Sequence, residues 1–453
     1  MTDWLHDATR RAERYLNTID ERAVFPSDEA LEALDAFDEP FPEQSSDVQS
    51  VIAMLDELGA PATVATTGSR YFGFVTGGIL PAGTASNILM SAWDQNAAAH
   101  IMSPITAKLE VVALAWLIDV LGLEGQAISG GFVTGATTAN FTALAAARHY
   151  LLSRKGWDVE ANGLFGAPEI KVVVGDEVHV SVLQALQMLG FGKERLIRVP
   201  VDDQGAILAE QLPPLDDMTL VCIQAGNVNS GAFDPAEAIC QQAREAGAWV
   251  HVDGAFGLWV SATETHNHLT AGYELADSWV TDGHKWLNVS YDNGIVLCRH
   301  EEALRNAMIV NAPYLIMGET REPSHYTPEL SRRARGIELW AVMKSLGRSG
   351  LADLITRDCQ LASYFADSLR DAGFEILNDV IINQVLVAFG NREQTLQTIE
   401  AIQRDGTLWA GSSVWKGQTA MRISVSSWKT TQADIDRCVE AITRIARTIR
   451  TQV

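Results

Sequence analysis

Between Gly131 and Cys298 the chain carries seven short β-rich runs, most of them continuously apolar. They are Gly131 to Thr134, Ile170 to Val174, Leu196 to Val201, Leu220 to Gln224, Trp249 to Asp253, Ser278 to Thr281 and Gly294 to Cys298. A strand with one face in water alternates apolar and polar residues, whereas an unbroken apolar run has both faces covered. Helical stretches separate several of these runs, at Thr138 to Ser153, Val180 to Leu189 and Ala236 to Ala246. Strands alternating with helices predict an α/β domain built on a mostly parallel sheet. Such sheets bind ligands at the carboxyl ends of their strands. Thr134-Gly135, Gly226-Asn227, Asp253 and His284-Lys285 fall there.

A chain of 453 residues exceeds one ordinary core, so two or three domains are expected. Residues 1–68 carry helical periodicity, acidic patches and a break at Pro40 and Pro42, and read as a helical arm suited to dimerisation. Residues 69–315 hold the α/β pattern. Residues 316–453 read as a smaller α+β domain. Its helices are Ile337 to Leu346 with Leu351 to Ala372, a stretch near Leu396 to Arg404, and a last one from Gln432. Its strand-like runs are Phe374 to Leu377, Gln384 to Phe389 and Ala420 to Ser426.

The net charge of −23 argues against nucleic-acid and anionic-membrane partners, both of which need a basic face. Five scattered cysteines with no C-x-x-C pair fit reduced thiols in a cytoplasmic protein. The N-terminus has neither a basic nor an apolar leader segment. The most apolar helix, near Val111 to Leu123, is too short and too charged to span a bilayer.

The chemistry concentrates between His251 and Lys285. His-Val-Asp-Gly-Ala ends one apolar run at Asp253, and Asp-Gly-His-Lys-Trp-Leu follows the next. Alone, Lys285 would be a surface lysine and Asp253 a turn residue or helix cap. Together they are what pyridoxal 5'-phosphate (PLP) requires: an amine for its aldehyde and a carboxylate for its pyridine nitrogen. Ala255 is small enough for a planar ring to lie against the chain, and His179, at a helix start, can stack on the opposite face. Thr134 to Asn140 follows a strand and opens a helix, a place for an anion. No G-x-G-x-x-G, Walker A, H-E-x-x-H or G-x-S-x-G motif competes. His251 and Asp253 share a strand face, but no third ligand stands at a useful spacing, so no metal site is expected.

These residues resemble the group II PLP-dependent amino-acid decarboxylases, which include the aromatic amino-acid and glutamate decarboxylases. The resemblance runs from about Arg70 to the end. It rests on Thr134 to Asn140, Glu177-x-His179, Gly226 through Asp234, His251 to Ala255, His284 to Leu287 and Arg332-Arg333. It implies PLP fold type I, with a seven-stranded large domain and a homodimer whose active sites lie at the interface. It makes Lys285 the Schiff-base lysine, Asp253 the partner of the ring nitrogen and His179 the stacking residue. Gly135, Ala136 and Thr137 would bind the phosphate with His284 beside them, and Asn227 would take the ring hydroxyl. Tyr314 would return a proton to the substrate. Asp282 departs from the pattern, because an asparagine is usual there.

Around the substrate, Phe74 and Asn96 are expected as pocket walls, and Asn96 with Ala98 makes that wall smaller and more polar than in relatives that bind catechol rings. Arg422 is a candidate for gripping a carboxylate. The resemblance implies decarboxylation of an L-amino acid to its amine. The alternatives on the same cofactor are transamination, carbon–carbon cleavage and aldehyde-forming oxidative decarboxylation.

Overall fold

The computed structural model describes residues 3–125, 127–309 and 321–452. The chain divides into two compact units. The larger comprises Ile79–Cys359 and Asp379–Ile382; the smaller gathers Met1–Gly78, Gln360–Asn378 and Asn383–Val453.

The larger unit is built on seven strands: β1 (Ser129–Val133), β2 (Lys171–Gly175), β3 (Ile197–Val199), β4 (Thr219–Gln224), β5 (Trp249–Asp253), β6 (Ser278–Asp282) and β7 (Gly294–Cys298). They lie in the order β1-β7-β6-β5-β4-β2-β3. β2 to β6 pair in parallel, while β7 runs antiparallel to both β6 and β1. Every residue of β4, β5, β6 and β7 is buried, which is why these segments lack polar alternation. The PLP fold type I architecture implied by the resemblance is the one observed.

The helix Ala136–Ser153 leaves β1 and packs across β7, β6 and β5. Its inward face is Ala139, Ala143, Ala146 and Ala147, all fully buried, and such small side chains let the helix lie close to the sheet. Asn140 is buried on the same helix, one turn past its start. This amide reappears in the site.

The smaller unit carries the four remaining strands, β8 (Glu375–Ile376), β9 (Gln384–Ala388), β10 (Gly411–Trp415) and β11 (Gln418–Ser424), in the antiparallel order β10-β11-β9-β8. The helices Arg392–Asp405 and Gln432–Gln452 pack together. The N-terminal helix Asp3–Thr18 buries no residue, but Ile19, Val24 and Ala65 join Tyr71 in a small core against Trp409. Among the described residues no helix is long and apolar enough to cross a membrane.

Candidate active site

Asp253 closes β5 and is almost wholly buried. Its Oδ2 accepts from Asn140 Nδ2 and from Ser181 Oγ, each at 3.3 Å, and its Oδ1 accepts the Ala255 N–H at 3.2 Å. His251, two residues earlier on the same strand face, sits with Nε2 2.8 Å from Asn140 Oδ1 and Nδ1 2.9 Å from Ser278 Oγ. Burial pushes this imidazole down to about 4, against the opposing pull of Asp253, so it is neutral at pH 7. His251 is therefore committed to the sheet and helix around it.

Lys285 lies in the turn after β6, anchored by the fully buried Trp286 and Leu287. Trp286 Nε1 donates to Asp358 Oδ2 at 3.0 Å, and burial raises Asp358 to about 7. Lys285 Nζ is 3.0 Å from Asp282 Oδ2, so the unusual aspartate faces the lysine. Its other oxygen, Oδ1, is buried with no hydrogen-bond partner among the described residues. His284 Nδ1 accepts the Asn293 N–H at 3.0 Å, which turns Nε2 toward Asp282 Oδ2, 3.6 Å away. The ring also stacks on Tyr291 at 4.4 Å, and burial lowers its pKa.

The anion turn forms where Gly135 meets this region. A Cβ on Gly294 would fall 2.4 Å from Gly135 Cα, so only glycine lets β7 pass so close. A Cβ on Gly135 would reach 3.0 Å from His284 Cε1 and 3.8 Å from Asp282 Oδ1. Ala136 and Thr137 open an 18-residue helix with no side-chain cap and no acidic residue in its first turn. Its first amides and the positive end of its dipole are thus left for an anion.

His179 caps the helix Val180–Met188, accepting the Ser181 N–H on Nδ1 at 3.2 Å. It lines one cleft together with Gly226, Asp253, Ala255, Phe256 and Lys285. Next to Gly226, the buried Asn227 accepts N–H groups of Asn229 and Ser230 on Oδ1, while its Nδ2 has no partner among the described residues. Asp234, raised to about 7 by burial, accepts the backbone N–H groups of Ile207 and Gln224, which ties the 226–233 loop to β4.

The three substrate candidates lie apart from this cleft or in the other unit. Asn96 Oδ1 accepts the N–H groups of Ala98 and Arg332, and the residue lines a separate cavity of about 520 Å³ with Asp94, Ser331 and Arg333. Arg332 pairs there with the fully buried Glu110, fixing the segment. Phe74 and Arg422 belong to the smaller unit. Phe74 is exposed and stacks on Trp409, and Arg422 is half-buried on β11, where desolvation lowers its pKa. Tyr314 lies outside the described residues.

Sequence reasoning did not single out Asn140, Ser181 or Ser278 as groups bearing on Asp253. A signal was present: His251 and Asp253 share a strand face, and Asn140 is the one amide on an otherwise alanine-rich buried helix face.

Residues 31–391 match the family described as the pyridoxal-dependent decarboxylase conserved domain. Tryptophan decarboxylase 1 of Oryza sativa subsp. japonica is 26% identical over 471 residues, covering 94% of this chain and 89% of that protein. Aspartate 1-decarboxylase of Aliivibrio fischeri is 30% identical over 274 residues, covering 55% and 49%. The crystal structure of Oryza sativa TDC with PLP and tryptamine superposes with a TM-score of 0.89 at 23% identity, covering 98% of this chain and 97% of that one.

Proposed function

The chain belongs to the pyridoxal-dependent decarboxylase family and is a PLP-dependent amino-acid decarboxylase, and from that premise we propose roles for its own residues. Bound PLP supplies the electron sink for the breaking Cα–carboxylate bond. Three features fit it: the uncapped helix start at Gly135 to Thr137, the orphaned Asn227 amide, and the Asp253 carboxylate. Lys285 is the amine that carries the cofactor. Asp253 accepts the hydrogen bond of the ring nitrogen, and Asn227 donates to the ring oxygen. Ala255 and His179 bound the two ring faces. Gly135, Ala136 and Thr137, with His284 alongside, hold the phosphate. His179 orients the leaving carboxylate, and Tyr314 or His179 returns a proton at Cα.

The observation that carries this reading is the common cleft lined by His179, Asp253, Ala255 and Lys285. Cytoplasmic location and a homodimer with interfacial sites complete the proposal. Residues 1–68 serve there as a dimerisation arm. Phe74, Asn96 and Arg422 are proposed as substrate-binding residues. Two of the relatives are named for tryptophan and for aspartate, so choice of substrate within the family is proposed to rest on pocket residues of this kind. The test is a screen of amino acids for carbon dioxide release, with the product amines identified by mass spectrometry. Lys285→Ala is expected to bind PLP without turnover; an active Lys285→Ala enzyme would sink the assignment.

A further inference from the structure

We propose that Asn140, His251 and Ser278 are positioning residues for Asp253, joined in a hydrogen-bond chain whose direction is set from the Asp253 end. The proposal rests on PLP as the cofactor.

At one end stands the Asp253 carboxylate, which offers only acceptors to its neighbours. The amide edge of Asn140 that faces it at 3.3 Å must therefore be Nδ2. Its two hydrogens serve Asp253 and Ser181 Oγ, the latter at 3.2 Å. Asn140 Oδ1 is then turned to His251 Nε2, which must carry the imidazole proton. Because His251 is neutral, its Nδ1 is bare and accepts the hydroxyl proton of Ser278. At the far end the Trp249 indole, a donor only, gives its Nε1–H to Ser278 Oγ at 3.0 Å. Ser278 can accept this proton and still give its own to His251.

The chain has no slack. Trp249, Ser278, His251, Asn140 and Asp253 are each at most 5% exposed, so water cannot replace a lost member. Hydrogen bonds in such surroundings reinforce one another. Without His251, Asn140 Oδ1 would be buried and unsatisfied. Rotating the amide to relieve that would set oxygen against the Asp253 carboxylate. The ring nitrogen of the cofactor would then meet a displaced partner. Other ionisable groups around this end are few: Cys222 lies beside His251 on β4, its thiol pushed up by burial, and His179 and Lys285 line the cleft.

The experiment uses holoenzyme loaded with PLP labelled with 15N in the ring, in the parent, His251→Leu and His251→Gln. The ring-nitrogen chemical shift is followed against pH. Glutamine can donate to Asn140 and accept from Ser278, so His251→Gln is expected to track the parent. His251→Leu is expected to release the ring proton at least one pH unit lower, about a tenfold loss. Equal titration of His251→Leu and the parent would overturn the proposal, and so would a His251→Gln that behaves like leucine. A purely structural role would lower stability without moving this titration. Should His251→Leu not fold, 15N-histidine spectra of the parent decide. The neutral Nε2–H form of His251 is expected at pH 7, and the Nδ1–H form overturns the chain. Failure of the parent to bind PLP would remove the functional reading and this proposal together, whereas a parent that binds but shows the wrong titration or tautomer removes the proposal alone.

Discussion

Asp253 and Asp282 close two neighbouring parallel strands, and both are buried. Their surroundings could hardly differ more. Asp253 is met by an amide, a hydroxyl and a backbone N–H, all held by secondary structure. Asp282 has one oxygen against the Lys285 ammonium and the other without a hydrogen-bond partner among the described residues. Fixed dipoles stay in place whatever enters the cleft. An ion pair with Lys285 lasts only while that lysine keeps its charge and its position. In a site where Lys285 carries the cofactor, one aspartate is part of a permanent frame and the other loses its partner when the cofactor arrives.

The largest effect should come from breaking the frame itself. Asp253→Asn keeps the shape of the side chain but replaces an acceptor facing the ring nitrogen with an amide. A preorganised electrostatic partner of this kind is worth roughly 10²–10³ in kcat. Steady-state kinetics on the best substrate from the screen would check it, and an Asn variant within a few-fold of the parent would place the electrostatic work elsewhere.

The frame should also leave a mark on acid stability. An imidazole held down to about 4 in the fold but titrating near 6.5 when unfolded binds its proton more readily in the unfolded chain. Its contribution is therefore complete above about 6.5 and is lost as pH falls toward 4, a slope summing to about 3 kcal/mol. Urea denaturation midpoints from pH 7 to pH 4 should fall more steeply for the parent than for His251→Gln. Parallel curves would mean that His251 is not buried neutral.

The sheet was legible in the sequence because its strands are covered on both faces. β5, β7 and the helix Ala236–Ala246 begin and end where the apolar runs do, and the other large-unit strands differ by one or two residues at either end. β10 was not legible. It alternates half-buried and exposed residues before the buried Trp415, carries two serines, and turns into β11 through Lys416-Gly417, both at positive φ (46° and 82°). Lys-Gly is not a dipeptide that announces such a turn. The helix after β1 starts at Ala136 rather than Thr138, because Gly135 opens it without a side-chain cap. Lys285, Asp253 and His179 stand out because each is chemically distinctive at a strand end or helix start. Asn140 and Ser278 do not, because they meet His251 only once β6 lies beside β5 and the helix crosses both. Their role depends on strand order, which no local pattern encodes.

Asp282 offers the smallest and sharpest test of the contrast. Its unpartnered Oδ1 lies near Gly135, where the phosphate is proposed to bind, so a carboxylate there repels the same anion that the helix start attracts. An asparagine at this position removes that repulsion and can turn an N–H toward the phosphate. It also releases Lys285 from its ion pair. Both effects act in one direction. At an effective dielectric of about 20, two unit charges some 8 Å apart cost ~2 kcal/mol, reduced by screening. Asp282→Asn is therefore expected to tighten PLP binding by about tenfold, ~1.4 kcal/mol, in a fluorescence titration of cofactor-free protein. Weaker binding would reverse the contrast. Asp282 would then serve the lysine, orienting its amine for attack on the incoming aldehyde, and the two aspartates would form one frame.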